Sequence, residues 1–223
     1  MRKITSFAIT LTLTVNAVNA ACPTPAVAYS WHYSSSVSYY FPAWTPPAAY
    51  TFLPIMDLGI DGDINSAFNQ WSYANSAQNP SNVGYYFGIG SFRVYAVRVN
   101  YPGVAGMGDP RVFAQTEISV FADSPNIIAG AQTTFYYDSI SREGGFPVVD
   151  TSTGAYHSFV QKVMVHEIGH TNGLWDQPLG TGGCAGQTAG QSVMNAQCGT
   201  NDSANNLPAQ MLGIVSCDNS AIQ

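Results

Sequence analysis

Between residues 63 and 77 the apolar positions recur at helical spacing. Ile64, Ala67, Phe68, Trp71 and Ala74 form one stripe, and Asp63 stands where an N-cap would. From residue 83 to 138 the pattern changes to alternation rich in β-branched and aromatic residues. It predicts strands at 84–89, 92–100, 112–121 and 127–137, separated by Gly, Pro, Asn and Asp turns. Helical spacing returns over 155–172, with Phe159, Val160, Val163, Met164 and Ile168 facing a core. Gly173 follows, suited to a left-handed cap. Residues 21–50 carry Pro23, Pro25, Pro42, Pro46 and Pro47 and predict an irregular, mostly extended segment. Past Gly173 periodicity is weak apart from a short helix at 205–215, and no internal repeat is visible. One helix, a sheet, a second helix and a loop-rich tail predict an α+β domain.

The first twenty residues predict a leader, not part of the fold. Arg2 and Lys3 precede an apolar run over 4–16, and Val18-Asn19-Ala20 places small residues before a cleavage point between Ala20 and Ala21. The run is shorter than the roughly 20 residues that span a bilayer, and no later stretch is longer. A secreted, extracellular protein is expected, with no membrane partner once the leader is removed and a monomeric state. Residues 51–223 form a single domain. Residues 21–50, rich in Pro, Ser and Tyr, either stay with it or leave as a propeptide. Of the seven basic residues two lie in the leader, so five remain against thirteen acidic ones, a net charge near −8. No basic patch exists to neutralise phosphates, which excludes nucleic acid as a partner.

All four cysteines, Cys22, Cys184, Cys198 and Cys217, lie beyond the leader. An even number in an oxidising compartment predicts two disulfides, for which three pairings exist. The favoured pairing is Cys184–Cys198 with Cys22–Cys217 tying the two ends. The shorter bridge closes a loop of about fifteen residues and contributes about 3 kcal/mol by loop entropy. The competing role for Cys22 is a thiol that caps a metal from a propeptide, though no inhibitory signature surrounds it.

The chemistry concentrates in His166-Glu-Ile-Gly-His170-Thr-Asn-Gly173-Leu-Trp-Asp176. Residues four apart share a helix face, so His166 and His170 can present two imidazoles to one zinc ion. Glu167 follows the first ligand, in the place of a general base, and Asp176 supplies an oxygen for a third ligand. The chain has four histidines, and two of them fall in this frame. His157 is nine positions before His166 and points to the opposite face, and His32 has no partner motif. Asp61-Gly-Asp63-Ile-Asn65 begins like a calcium loop, but Ser66 and Ser72 stand where glycine and glutamate are needed, so calcium is not indicated. Gly88-Ile-Gly90 lacks a third glycine in register and is no nucleotide fingerprint.

The frame H-E-x-x-H-x-x-G-x-x-D resembles the metzincin zinc endopeptidases, with aspartate as third ligand as in their snapalysin-like branch. The first helix, with its Ala-Phe and Trp, is similar to that of the matrixin-like members. The resemblance spans roughly 51–217. It implies a metzincin-like zincin fold: a twisted mixed sheet and two main helices, with 51–173 as an upper subdomain and 174–223 as a loop-rich lower one. It also implies that Met194, in Ser192-Val-Met194-Asn, occupies the turn beneath the zinc, within a loop that Cys184 and Cys198 enclose. The usual third histidine is absent, and no tyrosine lies two residues after Met194. The implied activity is hydrolysis of peptide bonds in protein or peptide substrates by water activated on one catalytic Zn2+. Glu167 acts as general base, and His166, His170 and Asp176 hold the metal. Substrate is expected to lie extended along a sheet edge, at the strand 127–137. The alternative is a non-catalytic secreted binding protein with a structural zinc; such a site is closed by four protein ligands and has no use for Glu167.

Overall fold

The structure, a computed structural model, describes residues 4–7, 30–31, 36–73, 84–99, 114–137, 154–174, 193–194, 214 and 218. Eight strands form one mixed sheet: β1 (Ile4–Phe7), β2 (Ser30–Trp31), β3 (Ser36–Tyr40), β4 (Tyr50–Leu53), β5 (Gly84–Phe87), β6 (Phe92–Val99), β7 (Ala114–Phe121) and β8 (Ser124–Tyr136). Helix α1 (Asp61–Tyr73) falls between β4 and β5, and α2 (Gly154–Thr171) follows the sheet. The mixed sheet with two helices agrees with the expected α+β class.

The sheet order is β1-β7-β8-β6-β3-β5. β3, β5, β6 and β8 run parallel, while β7 pairs antiparallel with β8 through a tight turn at 122–123. β2 extends the pairing of β8 at Ile127 and Ile128, and β4 pairs antiparallel with β6 from Ala96 to Val99. The register between β7 and β8 shifts around Val120, a bulge that locally sharpens the twist.

Residues 21–50 are not simply irregular, because Ser36–Tyr40 is an internal strand hydrogen-bonded to both β5 and β6. Its prolines hid this, since they flank β3 without entering it. Val37 and Tyr39 are buried in the core, so loss of everything before residue 51 would open the middle of the sheet. The strand at 127–137 is not an edge: β8 has β7 on one side and β6 on the other. Its burial alternates over most of its length, Ile128, Ala131, Thr133 and Phe135 facing inward. That is the pattern of a strand with one face on a core, and pairing at both edges leaves no such mark on sequence.

The expected leader contributes β1, which pairs antiparallel with β7 from Ile4↔Phe121 to Phe7↔Ile118. Among the described residues, no helix is long and apolar enough to cross a membrane.

Helix α1 begins two residues before its expected start, so Asp63 is not the N-cap. It sits with Asp61 in the first turn, where a carboxylate complements the helix dipole. Asp63 Oδ2 also meets His157 Nδ1 at 2.5 Å, joining the first turns of the two helices. Burial pushes the Asp63 carboxyl above the ordinary carboxylate range, and the hydrogen bond and charge of His157 offset part of that. Ile64, Ala67, Phe68 and Trp71 are fully buried as the spacing predicts; Ala74 lies outside the described residues. Phe68 stacks on Tyr39 of β3 at 3.8 Å and meets Phe92 of β6 edge-on, which seats α1 on the sheet. Trp71 donates its indole N–H to the Val165 carbonyl at 2.7 Å and so ties α1 to the middle of α2. Full burial of each such side chain contributes about 1.5–3 kcal/mol.

Candidate metal centre

His166 and His170 lie about one turn apart on α2, on the same face. Their ring centroids are 4.7 Å apart with planes nearly perpendicular, at 86°. Each ring has its Nδ1 against a backbone carbonyl, His166 against Val193 at 3.1 Å and His170 against Leu174 at 2.9 Å. A carbonyl can only accept, so each Nδ1 carries the proton and each Nε2 keeps a lone pair. This is the tautomer that binds a metal, and the carbonyl also fixes the ring plane.

Between them Glu167 is buried at 6% exposure. One donor atom each from His166, Glu167 and His170 lie within 4.8 Å of one another. Two imidazole nitrogens suit zinc, and the carboxylate beside them can serve a water there, so the residues present fit the metal. Glu167 Oε2 accepts a hydrogen bond from Thr116 Oγ1 of β7 at 2.6 Å, and Thr116 meets Thr133 of β8 at 2.8 Å.

The partner of His170 exists because of Gly173. Its φ is +81°, and the last turn of α2 closes with Gly173 N–H on the His170 carbonyl at 3.1 Å and Leu174 N–H on the Gly169 carbonyl at 3.1 Å. This double closure is the Schellman arrangement, in which the left-handed residue is nearly always glycine. Leu174 is then buried, and its own carbonyl turns back onto the His170 ring. The glycine of the motif therefore sets the orientation of the second histidine.

The partner of His166 comes from a turn at Val193 and Met194. Both oxygens of the buried Asp218 carboxylate accept the Val193 N–H, at 3.2 and 3.0 Å. The chain of contacts runs from Asp218 through the N–H and C=O of the single residue Val193 to the His166 ring. Met194 is wholly buried under α2. A Cβ at Gly169 would lie 2.5 Å from the Met194 sulfur and 3.2 Å from the Trp71 ring, so the helix comes this close only because residue 169 has no side chain.

Asp218→Asn keeps the shape but weakens a charge-assisted bond to the turn. Zinc affinity is expected to fall roughly 10–100-fold, as it does when partners of metal-binding histidines are altered. Competition with a chromogenic chelator measures this, and an unchanged affinity would mean that the turn holds His166 without Asp218.

The structure brings together His166, Glu167, His170 and Met194 among the expected site residues. It seats His157 apart from them, on Asp63. Asp176, Cys22, Cys184, Cys198, Cys217, His32 and, apart from Ile214, the expected helix at 205–215 lie outside the described residues. The sequence motif did not reveal Thr116, Asp218 or the two accepting carbonyls. Thr116 looks like any strand threonine, and nothing local ties Asp218 to a histidine 52 positions earlier.

On the far side of β8, Tyr136 donates to Gln115 Oε1 at 3.3 Å. Burial, then the neighbouring Tyr50, Glu117 and Glu167, push its phenol up to about 12, so it stays an O–H donor across the physiological range.

No protein-family model matches the chain, and no curated protein matches it. A solved structure described as the GM1 bound form of the ECX AB5 holotoxin superposes on 93% of this chain and 90% of that one, at 13% identity and a TM-score of 0.45. At that identity and score the likeness carries no argument about this chain.

Proposed function

We propose that this protein is a secreted zinc endopeptidase with a metzincin-like fold, hydrolysing peptide bonds in extended protein or peptide substrates. One observation carries the reading: two imidazoles on successive turns of α2, both with Nδ1 tied to a backbone carbonyl, flank a buried glutamate whose carboxylate is within reach of the same point. Zinc, when bound, polarises the scissile carbonyl and acidifies water. His166 and His170 hold the metal through Nε2, and Asp176 completes the set three residues after the Gly173 cap. Glu167 takes a proton from the attacking water and returns it to the leaving amine. Met194 supports the floor beneath the two rings, in the place of the metzincin methionine turn.

Substrate alignment moves from the interior strand β8 to the outer edge of β7. That edge takes an antiparallel strand from Ile4–Phe7, and once a leader is cleaved its N–H and C=O groups are open to a peptide. Thr116, which contacts Glu167, lies two residues from the last paired position, so a peptide continuing along β7 passes the general base. Export, a monomeric state and the bridges Cys184–Cys198 and Cys22–Cys217 belong to the same reading.

The test is cleavage of an unfolded protein such as casein, with and without a chelator, by wild type and Asp176→Ala. Wild type is expected to cleave, stop on chelation and recover with zinc. Asp176→Ala is expected to lose zinc under mild chelator challenge together with most activity. Casein cleavage that persists with the metal removed would sink the metalloprotease reading, and full zinc occupancy in Asp176→Ala would remove Asp176 from the ligand set.

A further inference from the structure

The geometry assigns Thr116 a positioning role: its hydroxyl holds the Glu167 carboxylate in the orientation that proton transfer needs. The inference rests on the hydrolytic reading above. Thr116 and Thr133 face each other directly across β7 and β8, and their hydroxyls are 2.8 Å apart. Thr116 Oγ1 is also 2.6 Å from Glu167 Oε2. A carboxylate only accepts and Thr116 has one hydroxyl proton, so that proton goes to Glu167. Thr133 must then donate to Thr116. The bonds therefore run one way, from the fully buried Thr133 through Thr116 to Oε2, and each strengthens the next.

The consequence is a division of labour between the two carboxylate oxygens. Oε2 is tied to the sheet, and Oε1 is left for the reacting water. Glutamate has three rotatable side-chain bonds, and burial alone does not choose which oxygen faces the metal. The bond from β7 does, and it spans 51 positions of sequence to reach the helix that carries the histidines.

Thr116→Val keeps the shape and removes the donor, while Thr116→Ser keeps the donor. Thr116→Val is expected to lower kcat about 10- to 100-fold with KM and zinc content unchanged, the scale of a small misplacement of a reacting group. Thr116→Ser is expected to restore kcat. Crystal structures of the metal-free variants give a readout independent of activity: Glu167 keeps its rotamer with serine and leaves it with valine. If Thr116→Val does not fold, Thr116→Ala makes the same comparison. Wild-type kcat in the valine variant with Glu167 unmoved overturns the assignment, and so does a serine variant as slow as the valine one. Glu167→Ala assayed alongside separates the two failures. If it is dead while Thr116→Val is fully active, only the positioning role falls; if it is active, the hydrolytic reading falls too.

Discussion

Glu167→Ala is expected to keep its zinc and lose almost all hydrolysis. Both histidines retain their carbonyl partners in this variant, since Val193 and Leu174 hold the rings through their own backbone oxygens, and Asp176 is unchanged. Metal content should therefore match wild type. Among the described residues of the frame, 166–174, Glu167 is the one carboxylate that can take the proton. A positioned general base accounts for about 10²- to 10⁴-fold in rate, which corresponds to about 3–5.5 kcal/mol of barrier. Elemental analysis and casein cleavage on the same preparation check both halves. Cleavage near the wild-type rate would remove Glu167 from the mechanism, and lost zinc would make it a ligand instead.

The second large effect is expected at Gly169, which a sequence reader would take for filler between Glu167 and His170. A methyl group there meets the Met194 sulfur at 2.5 Å, well inside contact distance, and the Trp71 ring at 3.2 Å. Both side chains are fully buried, so whichever yields must shift into packed surroundings. Gly169→Ala is therefore expected to destabilise the fold by about 1–3 kcal/mol, the usual cost of overpacking. Thermal melting should show a loss of roughly 2–4 °C per kcal/mol in a chain of this size. Zinc affinity should fall with it, because displacing Met194 also moves the adjacent Val193 carbonyl away from His166. Met194→Ala alone leaves a cavity and costs about 2–5 kcal/mol. In the double variant the new methyl fills part of that cavity, so the two changes should combine to less than their sum, with a coupling of about 0.5–3 kcal/mol. Strict additivity would show that Met194 does not press on the helix at this point.

How much was legible in advance differs between the two halves of the site. The His-Glu-His frame could be read because a helix converts a spacing of four into one face, so His166, Glu167 and His170 meet by local geometry alone. Gly173 could be read for the same reason: the position after a helix needs a left-handed residue, and its φ of +81° agrees. The buried stripe of α1 and the approximate bounds of the four later strands also follow from short-range periodicity. The bounds of α1 were two residues off at its start, because Asp63 suits an N-cap and a first-turn position alike, and the contact with His157 that distinguishes them is 94 positions away.

What periodicity cannot carry is the identity of a neighbour in space. β3 was missed because two residues of its core-facing set, Val37 and Tyr39, are too few to stand out among flanking prolines. Its place was decided by parallel pairing with strands more than 40 residues later. The interior position of β8 was likewise a matter of pairing, which is made by backbone groups that every residue shares and which leaves no imprint on side-chain choice. The orienting contacts of the site, Thr116 on Glu167, Val193 on His166 and Asp218 on Val193, join segments 25 to 51 positions apart. Local sequence determined which groups could bind a metal and move a proton; the tertiary structure decided which nitrogen and which oxygen point at the work, because only a folded sheet and a returning turn can hold a hydrogen-bond partner in place against them.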